Sequence, residues 1–365
     1  MPKVDVPTTF FEGALIVNGF IPENDLWNGL NELLNEIEDL PQPIPWNGLN
    51  AWQLYISVHR KTRNGGTNPP LAWVASALAP PGACAAIAFK CKPLGDELDQ
   101  GFSADFAKCF FHDLARTFTF AANISRPGCF AVQSIATRCS DGSCEEDPGI
   151  MHDLAGAVDY SQKTGWPPLV PVPFGSVWVW TVRNLFHLRP GDTPVSRAFN
   201  AYTWLFEKRS DFPFGLVSAL IGIEALFATT TSGVADQVRR RAQLLLGNRT
   251  SFKKDLDKMY AARSAFLHGS TLLPPNGFSW EPPKAIEAKL EMISDAEDVA
   301  SAVLLSSLQR LAEKGWTRLE FSENLMGSDK EDVQSIEDIV QGIWIPYAET
   351  SALDEWVARF IRRFD

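Results

Sequence analysis

The chain has 365 residues, of which 45% are apolar and 21% are charged, and its formal net charge is −11. This length accommodates two domains of ordinary size, and the apolar content is typical of a globular protein with buried cores. The net negative charge argues against a protein that is coated with nucleic acid. No uninterrupted apolar run reaches the roughly 18 residues of a membrane-spanning helix, so no membrane partner is expected.

The amino terminus shows no charged leader followed by an apolar segment, which is the pattern of an export signal. We therefore expect a cytoplasmic protein in a reducing compartment. The six cysteines are then expected to be free thiols and not a disulfide framework.

The first half of the chain mixes strand signals with one clear helix. Apolar residues at helical spacing predict a helix from Asn24 to Leu40. The turn from Arg189 to Pro194 is the best candidate for a domain boundary. Four runs rich in aromatic and β-branched residues are predicted to be strands: Trp52–His59, Thr117–Ala122, Cys129–Ala136 and Ser176–Val182.

Beyond that turn the pattern changes to successive helices. Helical spacing and capping residues predict helices over 195–208, 213–227, 234–246, 251–267 and 286–314. The fold class is therefore predicted to be α+β, with a mixed α/β amino-terminal domain over 1–195 and an all-α bundle over 196–320. The remainder, 321–365, is predicted to be an acidic tail with short helical patches such as Leu353–Phe364.

One short segment of this acidic chain is strongly basic. Residues 236–263 carry eight basic and three acidic side chains, which gives this segment a net charge of +5. Local positive potential concentrates polyanions, although such a segment is equally typical of a solvated helix face. The residues that we expect to contact an RNA backbone are Arg239, Arg240, Arg241, Lys253 and Lys254.

The basic segment runs directly into an arginine–histidine pair, Arg263 and His268, at the predicted end of a helix. Histidine can give or take a proton near neutral pH. Arginine offers a planar set of donors that matches phosphate oxygens and stays charged. Together they supply the groups that metal-free RNA cleavage needs, so both residues are candidate catalytic residues.

Three further residues are expected to support this pair. Ser264 lies one helical turn before His268 and can hydrogen-bond the ring or a phosphate. Tyr260 lies one turn further back, where a half-buried packing role is equally compatible with the sequence. Glu224 interrupts an apolar helix, and we expect it to form an ion pair with Arg263 or Arg240, because a carboxylate is costly to bury without a partner.

The second half of the chain resembles the HEPN superfamily, and within it the ApeA-like branch. The resemblance covers residues 196–315 and is carried by three segments in order: Gly222–Phe227, Val238–Ala242 and Tyr260–Gly269. The last segment contains Arg263, four intervening residues and His268, in the pattern of the superfamily's motif. Many relatives carry Asn, Asp or His at the position of Ser264, so that residue departs from the pattern.

The resemblance implies a helical bundle that forms a homodimer through the motif helix. It also implies a metal-independent endoribonuclease without a cofactor, acting as a toxin or an antiphage-defence effector. Two motif helices side by side would bring two arginines and two histidines into one composite site. Residues 1–195 would then sense a phage-derived or protein trigger, or restrain the nuclease.

Two alternatives remain open at this point. Some HEPN proteins have lost catalysis, so the bundle can be a dimerisation module or a module that binds a ligand or RNA. The whole chain can also be an interaction scaffold. Incubation of the purified protein with RNA, beside variants of Arg263 and His268, distinguishes these classes.

Overall fold

The computed structural model describes residues 11–18, 25–42, 44–46, 52–60, 83–93, 104–138, 144–150, 154–184, 193–206, 214–270, 284–323 and 338–343. The chain folds into two compact units. The sheet unit includes residues 1–151 and 173–187, and the helical unit includes residues 152–172 and 188–346. None of the helices in the described ranges combines the length and the apolar character that a membrane span needs.

The elements are numbered in chain order. The strands are β1 (Phe11–Asn18), β2 (Ile44–Trp46), β3 (Trp52–Arg60), β4 (Ala83–Pro93), β5 (Val132–Arg138), β6 (Cys144–Pro148), β7 (Arg318–Glu323) and β8 (Asp338–Ile343). The helices are α1 (Asp25–Glu38), α2 (Ala104–Ser125), α3 (Ala155–Thr164), α4 (Phe174–Val182), α5 (Pro194–Thr203), α6 (Phe214–Phe227), α7 (Val234–Leu246), α8 (Phe252–Leu267) and α9 (Lys284–Glu313). A 3-10 turn, Trp204–Phe206, follows α5.

The sheet unit contains an antiparallel sheet with the strand order β2-β3-β4-β1-β5-β6. The helices α1, α2 and α4 belong to this unit, and an aromatic cluster joins two of them to the sheet. The Phe118 ring of α2 lies 5.5 Å from the Phe89 ring of β4, and it also contacts Phe130, Phe174 and Trp178. The predicted α+β class is therefore confirmed.

Two of the four predicted strands are wrong. Residues 117–122 lie inside α2, and residues 176–182 lie inside α4. Nearly every side chain of these two segments is buried, so the polar face that marks an amphipathic helix is missing. The other two predictions are confirmed approximately, since Trp52–His59 falls in β3 and Cys129–Ala136 overlaps β5.

The helical unit is built around the long helix α9, which packs against α3, α5, α6, α7 and α8. Gly222 allows a close approach of α6 to α9, because a Cβ atom at this position would lie 2.8 Å from a methyl group of Leu304. The five predicted helices are confirmed, with ends that shift by a few residues. At the start of α5, the N-cap residue Thr193 and Ser196 form a capping box, and Pro194 is the first residue of the helix.

The domain boundary and the tail differ from the prediction. The predicted first domain includes α3, yet residues 152–172 belong to the helical unit, because α3 packs against α9. The bundle is also not all-α, since β7 and β8 form an antiparallel hairpin where the sequence predicts a helical tail. The predicted helical patch Leu353–Phe364 lies outside the described residues.

Candidate active site

Helix α8 ends in a Schellman motif, and this turn positions the motif histidine. Gly269 adopts a φ of 67°, a left-handed conformation that favours glycine. Its N–H donates to the Phe266 carbonyl at 3.1 Å, and the Ser270 N–H donates to the Ala265 carbonyl at 2.9 Å. His268 occupies the C-cap position and is exposed. The imidazole is therefore accessible to a polynucleotide.

Arg263 is held by an acidic residue from a neighbouring helix. Its Nη1 atom donates to Oε1 of Glu224, on α6, at 3.0 Å. This ion pair confirms the first of the two partners expected for Glu224. The side chains are 31% and 23% exposed, so the pair is accessible and is less screened than a fully solvated one.

The guanidinium of Arg263 keeps donor capacity beyond this single contact. Its Nε atom is buried and has no hydrogen-bond partner in the described part of the chain. A guanidinium carries five N–H donors, and the Glu224 contact uses one of them. Arg263 is thus fixed in place by Glu224 while donors remain for a second anion.

Tyr260 lies beside the same carboxylate. Burial, together with the charge of Glu224, raises the pKa of the Tyr260 phenol well above its usual value. The hydroxyl therefore stays protonated at neutral pH and can donate a hydrogen bond but cannot act as a general base. No partner with good hydrogen-bond geometry satisfies it among the residues described, although Glu224 is close enough to influence its titration.

Ser264 is exposed on the last turns of α8. Its carbonyl accepts the His268 N–H at 3.0 Å, which is a helical bond and fixes the backbone of the histidine. Its hydroxyl makes no hydrogen bond to any residue that the structure describes. The side chain remains available to a ligand near His268.

Arg241 does not fit the predicted RNA-contact role. It is buried, and its Nη1 atom donates to the Phe227 carbonyl at 2.8 Å and to Thr229 Oγ1 at 3.0 Å. Its guanidinium carbon also lies 5.0 Å from the centre of the Phe321 ring. Three successive residues on a helix point about 100° apart, so a run of three arginines on α7 turns one of them inward.

The other predicted RNA contacts remain at or near the surface. Arg239 pairs with Asp236 at 3.2 Å, and Lys253 pairs with Asp257 at 2.8 Å, each within its own helix. Arg240 is half-buried and Lys254 is exposed. Surface pairs of this kind are weak and can be replaced by contacts to phosphate.

Exposed apolar side chains lie on the two helices that carry Glu224 and Arg263, and sequence reasoning missed them. On α6, Phe214 and Ile221 are 62% and 50% exposed, and Leu267 on α8 is 54% exposed. The Phe214 and Phe266 rings meet edge to face at 6.1 Å. The sequence does carry a signal for them. The segment of α6 is apolar around its whole circumference, whereas a helix that buries one face needs apolar residues on that face alone.

Sequence reasoning also missed a second arginine cluster, at the start of α8. The Nη1 atom of Arg249 donates to the Tyr160 hydroxyl at 2.8 Å and to the Trp166 carbonyl at 3.0 Å. Its Nη2 atom lies 3.4 Å from Asp255, and its Nε atom donates to Ser251 Oγ at 2.7 Å. The cluster joins α3 to α8 across a long separation in sequence.

Comparison with protein-family models, with curated proteins and with solved structures found no match to this chain. The motif residues and their geometry therefore carry the functional assignment. In the described part of the chain, His, Cys, Asp and Glu side chains form no group of three or more that could hold a metal ion.

Proposed function

We propose that this protein is a metal-independent endoribonuclease of the HEPN type, acting in the cytoplasm as a toxin or antiphage-defence effector. The observation that carries the proposal is the end of α8. There Glu224 orients Arg263, while the Schellman turn presents His268 to solvent. Arg263 can bind a phosphate and His268 can transfer a proton, and the two residues lie within one short stretch of helix.

The chemistry assigned to these residues is attack by an RNA 2′-hydroxyl on the adjacent phosphate. The free donors of Arg263 bind the non-bridging oxygens and stabilise the charge that develops on them. Such a donor contributes roughly 3–4 kcal/mol when it is well placed. His268 transfers a proton, either from the 2′-hydroxyl or to the departing 5′-oxygen. Tyr260 and the Ser264 hydroxyl supply further hydrogen bonds.

One histidine does not readily serve as both base and acid within a turnover, which favours a composite site in a homodimer. The exposed residues Phe214, Ile221 and Leu267 support such an assembly, because large apolar side chains left exposed on α6 and α8 favour association. A two-fold axis through this surface would place the same patch of each protomer against its copy. It would bring both histidines to one cleft.

The remaining assignments follow from this site. The RNA backbone would contact Arg239, Arg240, Lys253 and Lys254. Arg241 would not contact it, because its guanidinium binds the Phe227 carbonyl and the Thr229 hydroxyl. The sheet unit would sense a phage-derived or protein trigger, or restrain the nuclease. No cofactor is required by the chemistry.

The test is cleavage of total RNA by the purified full-length protein in the presence of a chelator. We expect cleavage that resists the chelator and is lost in Arg263→Ala and His268→Ala. Arg310→Ala is the matched control, because it removes an exposed arginine from an ion pair within one helix. Equal activity of all variants, or activity that needs a divalent metal, would contradict the proposal.

A second candidate is a non-catalytic HEPN module for dimerisation or for binding RNA or another ligand. The Glu224 carboxylate favours this non-catalytic candidate, because it already neutralises the charge of Arg263. This candidate predicts a dimer that leaves RNA intact. Binding that Arg263→Ala weakens, without cleavage under any condition, would establish it over the enzyme.

A further inference from the structure

Two polar groups on neighbouring turns of α8 are buried and lack a hydrogen-bond partner among the residues described. They are the Nε atom of Arg263 and the hydroxyl of Tyr260. Tyr260 precedes Arg263 by three residues, so both side chains lie on the same face of the helix. A buried donor without an acceptor costs free energy. An acceptor that lies close to both side chains would therefore have a role at this face of α8.

Glu224, on α6, is that acceptor. Its Oε1 atom accepts from Nη1 of Arg263 at 3.0 Å. Burial, and then the charge of Glu224, raises the pKa of the Tyr260 phenol, so the carboxylate lies near the hydroxyl as well. A carboxylate offers two oxygens with about four lone-pair sites, and the contact with Arg263 uses one of them. Glu224 thus has one hydrogen-bond donor in use and a second one close by.

The ion pair of Glu224 and Arg263 opposes the binding of an anion. A phosphate that binds Arg263 competes with the carboxylate for the same guanidinium, and the two anions repel each other. Solvent screens this repulsion only in part, because the side chains of the pair are 31% and 23% exposed. Phosphate binding is therefore favoured if another donor takes the carboxylate. Within this cluster of described residues, the Tyr260 hydroxyl is the unpartnered donor beside it.

We infer that Tyr260 is a positioning residue, which takes over the Glu224 carboxylate when a phosphate binds Arg263. In the free protein, Glu224 holds the guanidinium in place. When phosphate oxygens arrive, the Tyr260 hydroxyl donates to the carboxylate, and Arg263 donates to the phosphate. Every charged group then keeps a partner through the exchange. The inference rests on the proposed phosphate-binding role of Arg263 and adds the group that makes its charge available.

The affinity of the full-length protein for a labelled single-stranded 2′-O-methyl oligoribonucleotide, measured by fluorescence anisotropy at fixed salt, tests this exchange. We expect Tyr260→Phe to weaken the affinity about threefold to tenfold, through loss of one hydrogen bond to a carboxylate. The melting temperature should stay the same or rise, because the substitution removes a hydroxyl that is unpartnered in the free protein. A purely structural tyrosine would lower the affinity and the melting temperature together.

Glu224→Gln separates the charge of this residue from its position. The amide keeps an oxygen that accepts from Arg263 but carries no charge that competes with a phosphate, so the affinity should rise about threefold or more. In this background no carboxylate has to be taken over, and Tyr260→Phe should change the affinity by less than about twofold. Tyr160→Phe is the matched control, since its hydroxyl already contacts Asp255 and Arg249, and we expect an unchanged affinity.

Four results would contradict the exchange: an unchanged affinity in Tyr260→Phe, an equal loss in the wild-type and Glu224→Gln backgrounds, weaker binding by Glu224→Gln, or no binding of the oligonucleotide by the wild type. The ribonuclease assignment is decided separately, because the methylated oligonucleotide has no 2′-hydroxyl and is not cleaved. RNA cleavage that needs Arg263, with an unchanged affinity in Tyr260→Phe, refutes the exchange alone. The expected affinities without cleavage of ordinary RNA refute the ribonuclease alone.

Discussion

Helix α8 carries an arginine cluster at each end, and the two clusters use the same residue types differently. Arg249 contacts Tyr160, Asp255, Ser251 and a main-chain carbonyl, and its guanidinium lies 5.4 Å from the centre of the Tyr160 ring. Among the described residues, Arg263 has one partner, Glu224, and the hydroxyl of Tyr260 beside it is unsatisfied.

The difference lies in how many donors are satisfied, since each cluster contains an arginine, a tyrosine and a carboxylate. A guanidinium that contacts four partners from two helices and their flanking segments holds those helices together and has fewer donors left for a ligand. A guanidinium that is fixed by one carboxylate, with other donors free, is preorganised to bind a second anion. The type of residue does not show which arginine joins two helices and which has a single partner, but the contacts of the guanidinium do.

The largest expected effect is the loss of RNA cleavage in Arg263→Ala. Removal of one preorganised donor that stabilises charge in the transition state lowers the rate by about 100-fold to 1,000-fold. The unfolding free energy should change by less than about 1 kcal/mol, because the ion pair is partly exposed. Single-turnover cleavage and denaturant unfolding of the same preparation measure both quantities.

The reciprocal result is expected for Arg249→Ala. Its loss removes the cation beside Asp255 and the donor to the Tyr160 hydroxyl, and it leaves the Trp166 carbonyl with Thr164 as its donor. We expect the unfolding free energy to fall by roughly 2–3 kcal/mol. The cleavage rate per folded molecule should stay unchanged. A variant that unfolds normally but no longer cleaves RNA would reverse the roles given to the two arginines.

A smaller effect is expected from the titration of Tyr160. Burial, followed by the adjacent Asp255 carboxylate, raises the pKa of Tyr160 to about 12 from its usual value of 10.0. The stabilisation by the neutral phenol is complete below pH 10 and is lost as the pH rises through about 12.

The unfolding free energy of the wild type, compared with Tyr160→Phe, should therefore lose roughly 1–2 kcal/mol more between these pH values, after allowance for solvent screening. If the unfolding free energies of the two proteins changed in parallel with pH, the Tyr160 hydroxyl would not contribute to stability in this way. Lysine ionisation in the same range affects both proteins equally and cancels in the difference.

The smallest effect is expected for Lys254→Ala, which removes one exposed charge from α8. Stability should change by less than about 0.5 kcal/mol. If Lys254 contacts an RNA phosphate, the slope of log affinity against log salt should fall by about one. Arg310→Ala is the control, since it lies in the helical unit on α9 and is not assigned to RNA. An identical slope for both variants would remove Lys254 from the RNA contacts.

Local patterns predicted the helices of the second half, because helical spacing and turn residues are encoded within short segments. The end of α8 at Leu267 was predicted for the same reason. A buried charge was enough to limit the expected partner of Glu224 to Arg263 or Arg240, and the structure shows Arg263. The two helices taken for strands were missed because a segment buried on all sides carries no periodic pattern.

Other features depend on contacts between residues far apart in the chain. The cluster of Arg249 with Tyr160 requires α3 to pack against the start of α8, and no local pattern indicates that pairing. Arg241 was expected at the surface, although its neighbours Phe227, Thr229 and Phe321 come from two other segments, the end of α6 and β7. A single sequence shows which arginines exist but does not show which already bind groups inside the protein.

The central claim is that two protomers build one ribonuclease site, and subunit mixing tests it most directly. Wild type and His268→Ala are combined in equal amounts under conditions that allow subunits to exchange, and RNA cleavage is measured. If both histidines are needed, only dimers with two wild-type subunits are active, and activity falls to about one quarter of that of the same total amount of wild type. Activity of about one half would show that each protomer cleaves RNA by itself and would contradict the composite site.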